Sequence, residues 1–282
     1  TNIDGNQWDI FTPIWDTYTD ELPRLHFESH SGNIYSVWKG ATSTNWLTPS
    51  NWAGNIVPGA TANIFISART YNPVASFGIS CGNFLLVSGT FGLNNQILTL
   101  SGDFNNSGTF VPGTGTVIFN KASGIQMLDA GGGNFYDITH SGFGTLQLVS
   151  PLIVTRNFIN SGGTFTAGAN AIDVNGSVTL SSGVFNAPSS TFNIAGNFNL
   201  TGLTSFNHNN GTVIFDKITN LTSAGKALNN VQVGSATLGG SLILADTAAF
   251  DGDFSVGNGG LTTFNILNRT LYFGGNDASI DL

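Results

Sequence analysis

Charge is scarce in this chain. Asp, Glu, Lys and Arg make up 9% of its 282 residues, 16 acids against 8 bases, where an average globular protein carries roughly one quarter. Eight scattered bases offer no basic face to neutralise phosphates or anionic headgroups, which argues against nucleic acid or a membrane surface as a partner. Cysteine is rarer still. Cys81 stands alone, so no internal disulfide can form, and a single Cys with four scattered His gives no zinc spacing. Stability has to come from packing and hydrogen bonds. No run of about 18 apolar residues occurs to span a bilayer, and the N-terminus shows neither the charged nor the apolar region of a signal peptide. Helix-forming windows are missing as well, because Gly, Asn, Thr and Ser interrupt every candidate 3.6-residue period.

What is abundant is Gly, at 37 residues, with 22 Phe and many Asn, Ser and Thr. From about Ile64 onward, short apolar runs alternate with Gly, Asn and Ser clusters, as in ILTLSGDF, GTVIF, LQLVSPLIV and TFNIAGNF. These read as strands of about four to six residues joined by tight turns. Two stretches nearly copy each other. Gly102 to Lys121 reads GDFNNSGTFVPGTGTVIFNK and Gly196 to Lys217 reads GNFNLTGLTSFNHNNGTVIFDK, so the closing block recurs 96 residues on. Such a repeat points to stacked units, with roughly four coils of twenty-odd residues in each copy.

A flat sandwich satisfies the strand pattern too; the repeat favours an all-β, parallel β-solenoid. Phe104, Phe158, Phe198 and Phe254 follow Gly-Asp, Arg-Asn, Gly-Asn and Gly-Asp, as if each ring stacked on the one a turn below. With Phe110, Phe119, Phe206 and Phe215 from the copied blocks they form the expected core ladder. Asn tolerates left-handed backbone and can ladder its amide with the Asn above, while Gly permits a sharp corner.

All five tryptophans, Trp8, Trp15, Trp38, Trp46 and Trp52, lie in the first 52 residues, which sets the N-terminal part apart. The expected organisation is an extended arm over 1–34, a tryptophan-bearing cap with the first coils over 35–97, and solenoid repeats over 98–191 and 192–282. The segment LPRLHFESH alternates too weakly to be assigned as a strand.

The stretch from Ser36 to Ile66, SVWKGATSTNWLTPSNWAGNIVPGATANIFI, followed by GNF, GTF and GTVIF units, resembles very large secreted cell-surface proteins of Bacteroidetes-type bacteria. In those proteins a tryptophan-bearing opening precedes β-helical repeats. The resemblance covers roughly residues 36–282 and implies export by a type IX-like route and a role in adhesion or cell-surface structure.

Few residues are placed to do chemistry. A β-helical lyase or hydrolase needs paired carboxylates on one face, or Ca²⁺ with a basic residue. Asp251 and Asp253 flank Gly252 in a turn-like DGD, and Asp129, Asp137, Asp173 and Asp216 fall at no regular spacing that would align them on successive coils. Asp4 in NIDGN begins like a calcium loop but lacks the later ligands. His26 and His30 share a face only on a helix, which LHFESH does not favour. His140 and His208 read as polar turn residues, and Cys81 as a small buried hydrophobe. The remaining candidate is the tryptophan group. Its rings seal an open solenoid end or, if exposed, stack on sugars with Asn45 and Asn51 beside them; Trp8, Trp15, Trp38, Trp46 and Trp52 are therefore the candidate partner or ligand surface.

The sequence is read as a non-catalytic extracellular structural protein, a β-solenoid stalk or self-assembling filament or adhesin subunit of the bacterial cell surface, with no cofactor and no metal. Its partners are another copy, joined head to tail through the acidic arm, or the rest of a larger surface protein, with surface glycans as a further candidate. The alternative is a carbohydrate-binding or polysaccharide-cleaving β-helix.

Overall fold

Side chains alternate in and out along nearly every strand, and that alternation builds the interior. In Thr116–Phe119 the valine and phenylalanine are buried while Thr116 and Ile118 face outward, and Thr212–Phe215 repeats the pattern. Strands of three or four residues bury only one or two side chains each, so no strand is stable alone; each needs a copy above and below. A computed structural model describes residues 14–16, 24–26, 35–235, 239–257, 259, 262–274 and 280–281. It is an all-β parallel solenoid of about ten turns.

Three strands make a coil. Thr145–Leu148, Leu152–Val154 and Phe158–Asn160 follow one another, and Thr164–Thr166 then returns to pair beside the first. Stacking the coils generates three long faces. The first face is a nine-stranded sheet from Tyr35–Val37 to Ser205–Asn207, its place in later coils taken by a three-stranded sheet of Ala227–Leu228, Ala248–Phe250 and Leu271–Phe273. The second face is an eight-stranded sheet from Asn134–Phe135 to Ile280–Asp281; in earlier coils its place is held by the pair Thr90–Gly92 and Thr109–Val111. The third is a ten-stranded sheet from Ile79–Cys81 to Thr263–Asn265. All three run parallel throughout.

Register is most regular in the middle. On the third face Ile138, Phe158, Val178 and Phe198 pair in succession, a step of 20 residues each time. A constant step puts like residues on top of one another, and the rings stack: Phe165 lies 4.7 Å from Phe185 at 9°, and Phe185 lies 5.8 Å from Phe206 at 3°. Phe84 and Phe104 stack likewise at 5.5 Å. Toward the C-terminus the coils lengthen. Ile218 pairs with Ser241 and Ser241 with Thr263, steps of 23 and 22 residues.

Polar side chains tie the corners. Asn63 Oδ1 accepts the backbone N–H of Asn83, whose own Oδ1 accepts that of Asp103, both at 2.8 Å. At another corner Asp137, Asn157 and Ser177 hand the same bond upward to Asn157, Ser177 and Asn197 at 3.0 to 3.1 Å. Each link satisfies an N–H that no strand pairing reaches. Gly102 at such a corner has no room for a side chain, because a Cβ would run into Asn83.

Two expectations need restating. Phe104, Phe158, Phe198 and Phe254 do not lie over one another: Phe104 is on the first face, Phe158 and Phe198 are two coils apart on the third, and Phe254 is on the second. All eight expected ladder residues, Phe104, Phe110, Phe119, Phe158, Phe198, Phe206, Phe215 and Phe254, are buried; Phe104, Phe110 and Phe206 stack on rings one coil away, and Phe254 stacks on Phe250 of its own coil. The two GTVIF blocks also occupy different faces, Thr116–Phe119 the third and Thr212–Phe215 the second. The 96-residue spacing is therefore not a whole number of coils, and its boundary at 191/192 falls inside the strand Thr191–Ile194.

The arm expected over 1–34 lies mostly outside the described residues. Within it Ile14–Asp16 pairs antiparallel with Arg24–His26, so the weakly alternating LPRLHFESH does contain a strand. Helix among the described residues is limited to two short 3₁₀ turns, Pro49–Asn51 and Ala53–Asn55, and none is long and apolar enough to cross a membrane.

Candidate functional site

Residues 38–62 interrupt the coil pattern with an irregular closure, and its organiser is a buried asparagine. Asn51 is fully buried, yet every polar atom of its amide is used. Its Oδ1 accepts from the Thr42 and Ser43 backbone N–H groups and the Thr42 hydroxyl at 2.9 to 3.2 Å, and its Nδ2 donates to Ser43 Oγ and the Asn45 carbonyl at 3.0 Å. Its backbone carbonyl receives the N–H of Lys39 at 2.7 Å. Irregular backbone cannot satisfy itself through a ladder, and one side-chain amide does that work here.

Three tryptophans fill the space Asn51 encloses. Trp52 meets Trp46 edge-on at 4.6 Å and Trp38 edge-on at 5.0 Å, and Trp46 contacts Phe91 of the coils at 5.7 Å. Trp38 and Trp52 donate their indole N–H to the carbonyls of Tyr71 and Trp46 at 2.8 and 2.7 Å. Trp38, Trp46 and Trp52 are at most 2% exposed, so none offers a ring face to a sugar. For these three the ligand-surface expectation fails, because the rings are consumed in packing the closure. Trp8 lies outside the described residues, and of Trp15 only its place in Ile14–Asp16 is described.

As their spacing implies, Asp129, Asp137, Asp173 and Asp216 do not align on successive coils. Along the edge where the second face turns into the third, Asp137 and Arg156 lie in adjacent coils and Asp216 and Lys217 three or more coils further on, with Asp173 on the second face between them. Arg156 pairs with Asp137 at 3.1 Å and lies over the Tyr136 ring at 5.5 Å. Asp173 points outward from the second face; burial first, and then the negative charge of Asp216, push its carboxyl above the usual range, with Lys217 acting in the opposite sense. Asp173 and Asp216, 43 residues apart in sequence, thus come within electrostatic reach of each other from coils two steps apart. Asp129 stands apart on the first face, capping the N–H of Gly131 at 3.1 Å.

A cavity of about 800 Å³ opens along the same corner, lined by Ala195, Lys217, Ile218, Gly239, Gly240, Ser241 and Thr263. Sequence reasoning missed it; apart from Ile218 its lining residues are small or polar, and they come from successive coils.

His140 is not a turn residue. It ends the strand Asp137–His140 and points inward, 1% exposed, with Nδ1 2.6 Å from Asn160 Oδ1. The Asn160 amide nitrogen donates to the carbonyls of Gly162 and Ser182, which leaves Oδ1 as acceptor and assigns the proton to Nδ1 of a neutral imidazole. Burial lowers the His140 pKa, partly offset by that hydrogen bond. His208 is partly exposed and lies 3.5 Å from Asp251. Cys81 is buried, and desolvation pushes its thiol up to about 12. Asp251 and Gly252 form the expected turn before Phe254–Val256. Asp4 and His30 lie outside the described residues, and His26 lies in the strand Arg24–His26. Among the described residues no three of His, Cys, Asp and Glu converge as metal ligands would.

No protein-family model matches the chain, and searches of curated proteins and of solved structures return no match.

Proposed function

We propose that this chain is a non-catalytic structural element of a bacterial cell surface: an extracellular stalk or a self-assembling filament or adhesin subunit. The observation that carries the reading is the unbroken parallel ladder, ten strands deep on its longest face. Coils in such a stack touch only their neighbours, so length adds without a new core, and at about 4.8 Å per coil ten of them make a rod of roughly 50 Å. Low charge and polar outer faces of Thr, Asn and Ser suit a rod that stays in water without offering a strongly charged surface. The residue types resembling Bacteroidetes-type surface proteins support the same location.

Negative-stain electron microscopy over a range of protein concentrations tests this. Short straight rods support a stalk, and filaments that lengthen with concentration support a polymer subunit. Compact particles with no long axis overturn both. Where filaments form, deleting residues 1–34 tests the arm: loss of filaments assigns the head-to-tail contact to it, and unchanged assembly removes the arm from that contact.

A further inference from the structure

The cavity at the corner between the second and third faces has a size suited to a small ligand, since such sites run from about 300 to 1,000 Å³. Its wall combines two surfaces. Ile218 is 69% exposed, apolar and part of the cavity lining. Next to it stand the hydroxyls of Ser241 and Thr263, linked to each other at 2.7 Å, with the Ser241 N–H bonded to the Lys217 carbonyl at 2.9 Å. The strand pairing holds these groups in place, so the polar row is preorganised.

A ligand rich in O–H groups can donate to and accept from the Ser241 and Thr263 hydroxyls and accept from the Lys217 ammonium, all of them in the cavity lining. An apolar platform beside a row of hydroxyls matches the C–H face and hydroxyl rim of a sugar ring.

Charge selects among sugars. Lys217 is the one charged residue in the lining, and Asp173 and Asp216 stand near enough to offset its charge, so a uronate or sulfate finds no net attraction here. We propose that this corner binds neutral polysaccharide, with Ile218 as the ring platform and Lys217, Ser241 and Thr263 as the polar row. The inference goes beyond the scaffold reading, which stands whether or not the corner binds sugar.

Affinity electrophoresis of the whole chain at pH 7 tests it, in gels holding a mixed-linkage β-glucan, galactomannan, dextran or pectate. Retardation by at least one neutral polymer is expected, with pectate inert. Ile218→Ala with Thr263→Val should weaken that retardation about tenfold, the equivalent of 1.4 kcal/mol, at an unchanged melting temperature, since both side chains are exposed. Absence of retardation in all three neutral polymers overturns the proposal. So does retardation by pectate alone, or retardation that the double variant leaves intact.

Discussion

The tryptophan closure and the phenylalanine coils both bury aromatic rings, but they do so by different rules. In the middle coils, rings aligned one step apart on a face lie nearly parallel, as Phe165, Phe185 and Phe206 do, while rings from different faces meet edge-on, as Phe158 and Phe165 do. The backbone there is satisfied by the ladders, so a ring needs no polar handle and phenylalanine suffices. In the closure, Trp52 meets Trp38 and Trp46 edge to face, Trp38 and Trp46 stack at 6.3 Å, and the indole N–H groups of Trp38 and Trp52 reach backbone carbonyls. The backbone there is irregular, and the aromatic has to supply hydrogen bonds as well as area. Where the main chain repeats, shape alone is enough; where it does not, side chains must also complete its hydrogen bonding.

The largest effect expected from breaking this contrast is in the coils. Phe185→Ala leaves a hole in the middle of a stack and should cost roughly 4 kcal/mol, while Phe185→Leu should cost about 1 kcal/mol, measured by urea titration. A loss of equal size for both would mean that ring stacking, rather than filled volume, holds the coils. The closure should show the reverse tolerance. Asn51→Leu keeps the volume but strands the buried partners of the amide, so about 3 kcal/mol is expected. Trp52→Phe should cost about 1 to 2 kcal/mol because the Trp46 carbonyl loses its donor. If both closure variants melt with the wild type, the hydrogen-bonded account of the closure fails.

The smallest effect concerns the one histidine among the buried rings. A His whose folded pKa is depressed binds its proton less readily than in the unfolded chain. Its contribution is fully present above the unfolded value of 6.5 and is lost as pH falls below that value toward the folded pKa. Stability should therefore decline as acidity increases from neutral pH, and His140→Leu should flatten that segment of the profile. Asp173, whose carboxyl is raised, works in the opposite direction in a more acidic window. A His140→Leu profile parallel to that of the wild type would show that His140 does not set the slope.

Much of the fold is legible in short motifs. GNF at 82–84, GDF at 102–104, RNF at 156–158 and GNF at 196–198 each mark a corner where a side-chain oxygen or a Gly permits the turn. Which corner they mark is not legible. The first two open strands of the first face, the next two open strands of the third, and GDF at 252–254 opens one of the second. The three corners are chemically alike, and the face a motif reaches depends on the summed lengths of all earlier turns. Those vary: Ile97 pairs with Thr116 over 19 residues, but Phe104 pairs with Leu128 over 24. His140 was hidden for a related reason. In DITH the alternation that buries Ile138 also buries His140, but the following Ser-Gly reads as turn.

The sequence by itself determined that the chain is all-β, built of short strands with Gly and Asn corners, and that its parts stack as coils of about twenty residues. These follow from local alternation and turn chemistry, which need no distant partner. Only the tertiary structure decided that Trp38, Trp46 and Trp52 are interior, that His140 faces the core, and that Asp173 comes within electrostatic reach of Asp216 and Lys217. Those outcomes depend on register accumulated over many coils, a sum that no local window contains.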